Sequence, residues 1–409
     1  MTVAEDRDPN PRDAISRTID ETTAEHLREV GSVKWTMFPE TIGAFVAEMD
    51  FGLAPAISAA VKTALDRGAT GYLPAGLADE LAVATSDWHA KTYGWRVPAE
   101  RIHHLPDVVT AFELAVERFT RPGAAVIVPT PAYMPFLMVP PRLGRRVIEV
   151  PSIERDGRMV MDLDGIARAF DDGGELFVLC NPHNPLGTVF TRDELAALSD
   201  VVESRAGRVF SDEIHAPVIY PPAVHLPYAS LSTVTAAHTI TATSASKAWN
   251  LAGFKCAQMI LSNDADQAAW EEFGMWAGHG TSTIGVVANT AAYTAGGPWL
   301  EDVIGYLDGN RRLLAELVSE LLPRARMIVP EGTYIALIDF RDYGLEGDLG
   351  EWFRVHAGVA MTDGAACGVA GVGHARFVFA MPRPILREAI GRLSVALAAR
   401  TSNGDAPAL

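Results

Sequence analysis

From about residue 54 onward, two hydrophobic patterns alternate along the chain. Pro55–Gly68 has apolar residues at helical spacing, with a proline suited to the first helical position and a glycine to the stop. Thr110–Phe119 predicts another helix, with Phe112, Ala115, Val116 and Phe119 on one stripe. Short apolar runs without alternation follow at Ala124–Val128, Arg146–Val150, Leu176–Cys180, Arg208–Phe210, Thr239–Thr243 and Ala257–Leu261. Such runs predict buried parallel strands, although a buried helical turn has the same signature in any single run. Polar residues gather just after several of them, at 181–184, at Asp212 and at 244–247. Open α/β sheets bind ligands beyond the carboxyl ends of their strands, so these groups are expected to converge on one site.

The flanks differ. Residues 1–30 are polar and charged and read as a tail with one short helix. After about residue 285 a long helix is predicted over Leu300–Leu322, closed by Pro323. Strands at Thr333–Phe340 and Arg376–Ala380 and a last helix at Leu386–Ala399 follow. At 409 residues the chain exceeds one core of ordinary size. The expected organisation is an N-terminal arm with part of a small domain over 1–50, a large domain over 51–285, and a small α+β domain over 286–409.

Composition narrows the class. Hydrophobic residues make up 48% and charged residues 21%, the balance of a globular protein. A net charge of −17 disfavours nucleic acid, whose phosphates require clustered Lys and Arg. Cys180, Cys256 and Cys367 are far apart and odd in number, so they predict neither a disulfide framework nor a metal site. That usage fits a reducing cytoplasm, and the acidic N-terminus has no apolar core of the kind a secretory leader carries. Prolines interrupt the apolar stretch 124–141, so no membrane span is expected.

Lys247 lies in Ser-Ala-Ser-Lys-Ala-Trp-Asn-Leu-Ala-Gly, after an apolar strand and two serines. Most lysines are solvated surface residues, but one desolvated at a strand end has a lowered pKa and an amine free to form an imine. Ser244 and Ser246 have two readings, phosphate donors or helix caps. Asp212, in Phe-Ser-Asp-Glu-Ile-His, is either a cap or a carboxylate facing a pyridinium nitrogen. His215 follows three residues later, structural or near such a ring's phenolic oxygen. Asn184, in Asn-Pro-His-Asn-Pro-Leu-Gly, sits in a turn and has amide hydrogens to donate to that oxygen.

Taken in this order, the three motifs resemble a fold type I pyridoxal 5′-phosphate (PLP) enzyme of the aminotransferase class I/II superfamily. More narrowly they resemble its cystathionine β-lyase-like C–S lyase branch, through Lys34-Trp35, Ala47-Glu48-Met49-Asp50-Phe51 and Gly71-Tyr72. The resemblance runs from about residue 30 to 400. It implies an α/β fold, with a mostly parallel seven-stranded sheet between helices in the large domain and a smaller α+β domain beside it.

The resemblance also implies roles. Lys247 holds PLP as a Schiff base and carries the Cα proton, Asp212 pairs with the pyridine nitrogen and Asn184 with the phenolic oxygen. Tyr133 stacks on the ring, and Val108 and Val109 give backbone N–H groups to the phosphate at a helix start. Lys255 stands at a phosphate-binding position. Tyr72, counted among the catalytic residues, reaches the phosphate of a partner subunit, which makes a homodimer part of the site. Arg376 clamps the substrate α-carboxylate, with Ala47 and Tyr133 also around the substrate.

Three positions depart from the branch. Asp107 replaces a glycine before the valines, Glu48 replaces an aspartate, and Val378 replaces an asparagine. The expected reaction is α,β-elimination from a cysteine S-conjugate to a thiol, pyruvate and ammonia. The alternatives are an aminotransferase or a divergent PLP enzyme of secondary metabolism, and a non-catalytic relative of the same fold.

Overall fold

A computed structural model of the chain describes residues 11–404; residues 1–10, read above as part of a polar tail, and 405–409 lie outside it. Within 11–30 there are two helices where one was expected, α1 (Pro11–Asp20) and α2 (Ala24–Val30). Gly31, in the left-handed region at φ 83°, ends α2. Helix α3 spans Pro55–Asp66, with Pro55 in its first turn and Gly68 at φ 77° just beyond its end. Helix α4 spans Val108–Arg118 and starts two residues earlier than its apolar stripe indicated, because Asp107 caps it.

The large sheet has seven strands: β1 (Ile102–Leu105), β2 (Ala125–Thr130), β3 (Val147–Pro151), β4 (Gly174–Cys180), β5 (Arg208–Asp212), β6 (Thr239–Thr243) and β7 (Ala257–Leu261). Their order is β1-β7-β6-β5-β4-β2-β3. The run Ala257–Leu261 was expected to be parallel, but β7 is antiparallel to both neighbours. Burial on both faces erases the alternation that would have distinguished it. Strand β1 escaped prediction because His103 and His104 interrupt its apolar pattern.

Helices cover both faces. On one, Phe112, Ala115 and Val116 of α4 pack with Phe136 and Phe210; on the other, Ile166, Phe170, Leu195, Leu198 and Val202 meet Phe177 and Val209. Every residue of β2 and β6 is buried.

A second, antiparallel sheet contains β8 (Arg326–Met327), β9 (Ile335–Asp339), β10 (Thr362–Asp363) and β11 (His374–Val378), in the order β8-β9-β11-β10. Two long helices flank it, α5 (Gly297–Leu321) and α6 (Arg383–Gly404). The chain before residue 50 is tied to this region: Ile42–Gly43 pairs in parallel with Val359–Ala360, and Val378 N–H donates to the Ala44 carbonyl. Beyond it, Lys34 Nζ and Trp35 Nε1 each donate to the Asp50 carboxylate at 2.8 Å, fully buried, and Lys34 also reaches the Ala380 carbonyl. These ties hold residues 42–50 against the second sheet, while Met49 N–H donates to Asn250 Oδ1 in the segment after β6. No helix among the described residues is long and apolar enough to cross a membrane.

Candidate active site

Strands β4, β5 and β6 lie side by side, with Cys180 opposite Asp212 and Asp212 opposite Ala242. The polar segments that follow them therefore emerge together. They face a cavity of about 280 Å³ lined by Ala47, Asp107, Val108, Val109, Tyr133, Asn184, Asp212, His215, Ser246, Lys247 and Lys255.

Lys247 is the amine of this cavity. Its Nζ donates to the Ala47 carbonyl at 3.0 Å. Burial, then the nearby Arg376 charge, lowers its pKa to about 8, against the pull of Glu48 and Asp212. A much larger fraction is therefore neutral and nucleophilic near pH 7 than for a surface lysine. The hydroxyl of Tyr334, completely buried, donates to the same carbonyl at 3.0 Å. The sequence reading missed Tyr334, which opens the β9 region with no motif to mark it.

The Asp212 carboxylate accepts from Ile214 N–H at 3.0 Å. Burial raises its pKa to about 7 and the neighbouring Glu213 adds to this, while the Ile214 N–H and the Lys247 charge lower it. A cation placed against it is the partner that would restore its ionised form. Glu213 engages other groups: Ser211 Oγ at 2.8 Å, Tyr228 N–H at 3.0 Å and the His225 ring at 3.1 Å. His215 is buried edge-on to the Tyr334 ring, with Nδ1 unpartnered among the described residues, and burial holds its pKa well below the usual value. It is therefore a neutral ring.

Arg376 approaches from β11. Its Nε donates to Asn184 Oδ1 at 3.2 Å, and Nη1 donates to the Phe45 carbonyl at 2.9 Å and to Thr362 Oγ1 at 3.1 Å. With Oδ1 taken, Asn184 has its Nδ2 left as a donor. Tyr133, partly exposed, presents its ring to the cavity and packs edge-on against Phe136.

The first N–H groups of a helix have no intrahelical acceptor, so Val108 and Val109 offer theirs at the start of α4. Ser246 and Lys255 line the same cavity. Ser244 is engaged with the turn itself. Its hydroxyl donates to the Cys256 carbonyl at 2.7 Å and accepts from Ser246 N–H, so it shapes the turn and does not line the cavity. Tyr72 does not line this cavity. It is 88% exposed, with its ring against His279.

Among the departures, Asp107 is joined to Lys255, one Glu48 oxygen is buried without a partner among the described residues, and Val378 is core. An aldehyde-bearing pyridine phosphate needs an amine, an acid for the ring nitrogen, a donor for the phenolic oxygen and amides for the phosphate. Lys247, Asp212, Asn184 and the start of α4 meet those needs within one cavity, so the residues present fit the group.

A buried lysine and an acid at neighbouring strand ends of a mostly parallel sheet define an α/β enzyme with an imine-forming site. The chain belongs to the aminotransferase class I and II family, whose profile matches residues 46–393. It is 37% identical over 376 residues to the cystathionine beta-lyase of Corynebacterium glutamicum, covering 91% of this chain and 98% of the relative. A cystathionine beta-lyase of Bacillus subtilis is 33% identical over 375 residues, covering 90% and 96%. Cystalysin from Treponema denticola, whose crystal structure contains a pyridoxal 5′-phosphate cofactor, superposes with a TM-score of 0.86 at 30% identity, covering 93% and 99%.

Proposed function

We propose that this protein is a PLP-dependent carbon–sulfur lyase that converts a cystathionine-like cysteine S-conjugate and water into a thiol, pyruvate and ammonia. The observation that carries this reading is the buried Lys247 amine sharing one cavity with Asp212, Asn184 and the start of α4, with Arg376 bonded to Asn184. Near-full-length similarity to two cystathionine beta-lyases supports the choice of reaction.

When bound, PLP supplies an aldehyde for amines and a ring that takes up the electron pair released at Cα. Lys247 would hold the cofactor covalently, and its Nζ, when free, would accept the Cα proton. Asp212 would face the ring nitrogen and keep a proton there. Asn184 Nδ2 would donate to the phenolic oxygen, Tyr133 would pack on the ring, and Val108, Val109, Ser246 and Lys255 would hold the phosphate. Arg376 is fixed on one edge by Asn184, Phe45 and Thr362, which leaves Nη2 for the substrate carboxylate. Ala47 fixes Lys247 on the substrate side.

The exposed Tyr72 serves the phosphate of a partner subunit, so the working form is a homodimer, located in the cytoplasm. Residues 51–285 form its cofactor-binding domain, 286–409 its small domain, and 1–50 an arm that joins the small domain. The test is incubation of the holoenzyme with cystathionine and other cysteine S-conjugates. Pyruvate and thiol should appear in equal amounts without any keto acid; a strict requirement for a keto acid that recovers the amino group would overturn the lyase reading.

A further inference from the structure

The helix start that suits a phosphate already holds an anion. Asp107 caps α4, its Oδ1 accepting from Thr110 N–H at 2.8 Å and Thr110 Oγ1 at 2.9 Å, while its Oδ2 binds the Lys255 ammonium. Both side chains line the cavity that Lys247, Val108, Val109 and Ser246 also line. Lys255 is placed there by its backbone. It sits at φ 50°, in the left-handed region few non-glycine residues adopt, with its carbonyl accepting from Ser282 N–H.

We propose that Asp107 is a resident stand-in for the cofactor phosphate, occupying Lys255 and the α4 cap in the cofactor-free protein and weakening the site's hold on the phosphate. The inference rests on the reading that this cavity takes PLP. A phosphate monoester carries a charge of roughly −1.5 to −2 at neutral pH. Lys255 and the helix N-terminus together offer about one and a half positive charges, and the Asp107 carboxylate cuts that to about half of one. The lowered pKa of Asp107, held down chiefly by Lys255 against the opposing effect of burial, keeps it ionised across the working range. When a phosphate enters, Lys255 turns from the carboxylate to the phosphate, and Asp107 is left as a like charge beside it. Retention of the cofactor then leans on the covalent bond to Lys247 more than it would with a neutral residue at position 107.

The test compares the cofactor-free full-length protein with D107N, in which the side chain keeps its shape and its capping oxygen but loses its charge. Affinities for PLP, for pyridoxal lacking the phosphate and for inorganic phosphate are measured by equilibrium dialysis. D107N is expected to bind PLP and inorganic phosphate about tenfold more tightly, the scale of one partly screened charge, with pyridoxal affinity unchanged. D107S, also a good cap, should repeat the result, and thermal melts confirm that both variants are folded. Unchanged or weaker phosphate binding in both variants, or equal tightening for pyridoxal, overturns the inference. If the unaltered protein binds neither PLP nor pyridoxal, the cofactor reading itself fails, a different outcome from PLP binding that ignores position 107.

Discussion

Lys247 and Tyr334 share one acceptor: the amine of the first and the hydroxyl of the second each lie 3.0 Å from the Ala47 carbonyl oxygen. That oxygen is where the free lysine amine rests, and Tyr334 fixes its direction. Burial pushes the Tyr334 pKa up, so the hydroxyl stays a donor. Tyr334→Phe keeps the ring and removes the donor. A single hydrogen bond is worth about 1 kcal/mol, so kcat should fall roughly fivefold with little change in KM. Steady-state kinetics with a thermal melt as control decide it, and an unchanged kcat would remove Tyr334 from the mechanism.

The pKa of Lys247, lowered to about 8, sets how the cofactor-free protein captures PLP. Only the neutral amine attacks the aldehyde. The capture rate should therefore climb about tenfold per pH unit below pH 8 and level off above it, whereas an ordinary lysine would keep climbing to about pH 10.4. Stopped-flow absorbance across this range reads the inflection directly.

Asp212 should couple activity to stability with opposite signs. Its folded pKa of about 7 lies above the ordinary value of 3.8. Between these values the folded chain holds a proton the unfolded chain has released, so stability contributed by this group is lost as pH rises through the window. Asp212→Asn removes that loss. The cofactor-free variant should melt several degrees higher than the parent at pH 8, with no gain at pH 4, while lyase activity falls at least about a hundredfold. A parallel shift at both pH values would contradict the account.

The Lys34–Asp50 pair is buried at both ends and anchors the segment that carries Ala47. Removing one partner of such a pair leaves an unpaired charge and costs about 3–5 kcal/mol. Lys34→Ala and Asp50→Ala should each lose that much in denaturant unfolding, and holoenzyme activity should drop with the displaced Ala47 carbonyl. A loss under about 1 kcal/mol would show the pair to be dispensable.

Much of this site is legible in the sequence because its groups sit directly after apolar strands. Lys247 and Asn184 follow β6 and β4, and Asp212 ends β5, each where a buried strand gives way to polar residues. The direction of β7 was not legible, since a fully buried strand looks alike in either orientation. Tyr334 escaped because its function comes from a carbonyl nearly three hundred residues away in sequence, at Ala47. The partner of Ser244 was hidden for a related reason. A serine beside a lysine motif looks like a phosphate donor until the fold brings the Cys256 carbonyl within 2.7 Å. Chain order records which groups lie at strand ends; it does not record which of them the tertiary structure has already satisfied.

The anchoring role of Lys247 is tested most directly by reducing the PLP-loaded protein with borohydride and mapping the modified peptide. A single pyridoxyl label on Lys247, abolished in Lys247→Ala, is the predicted result. A label on Lys255 or Lys34, or a Lys247→Ala protein that retains the label elsewhere, would contradict it.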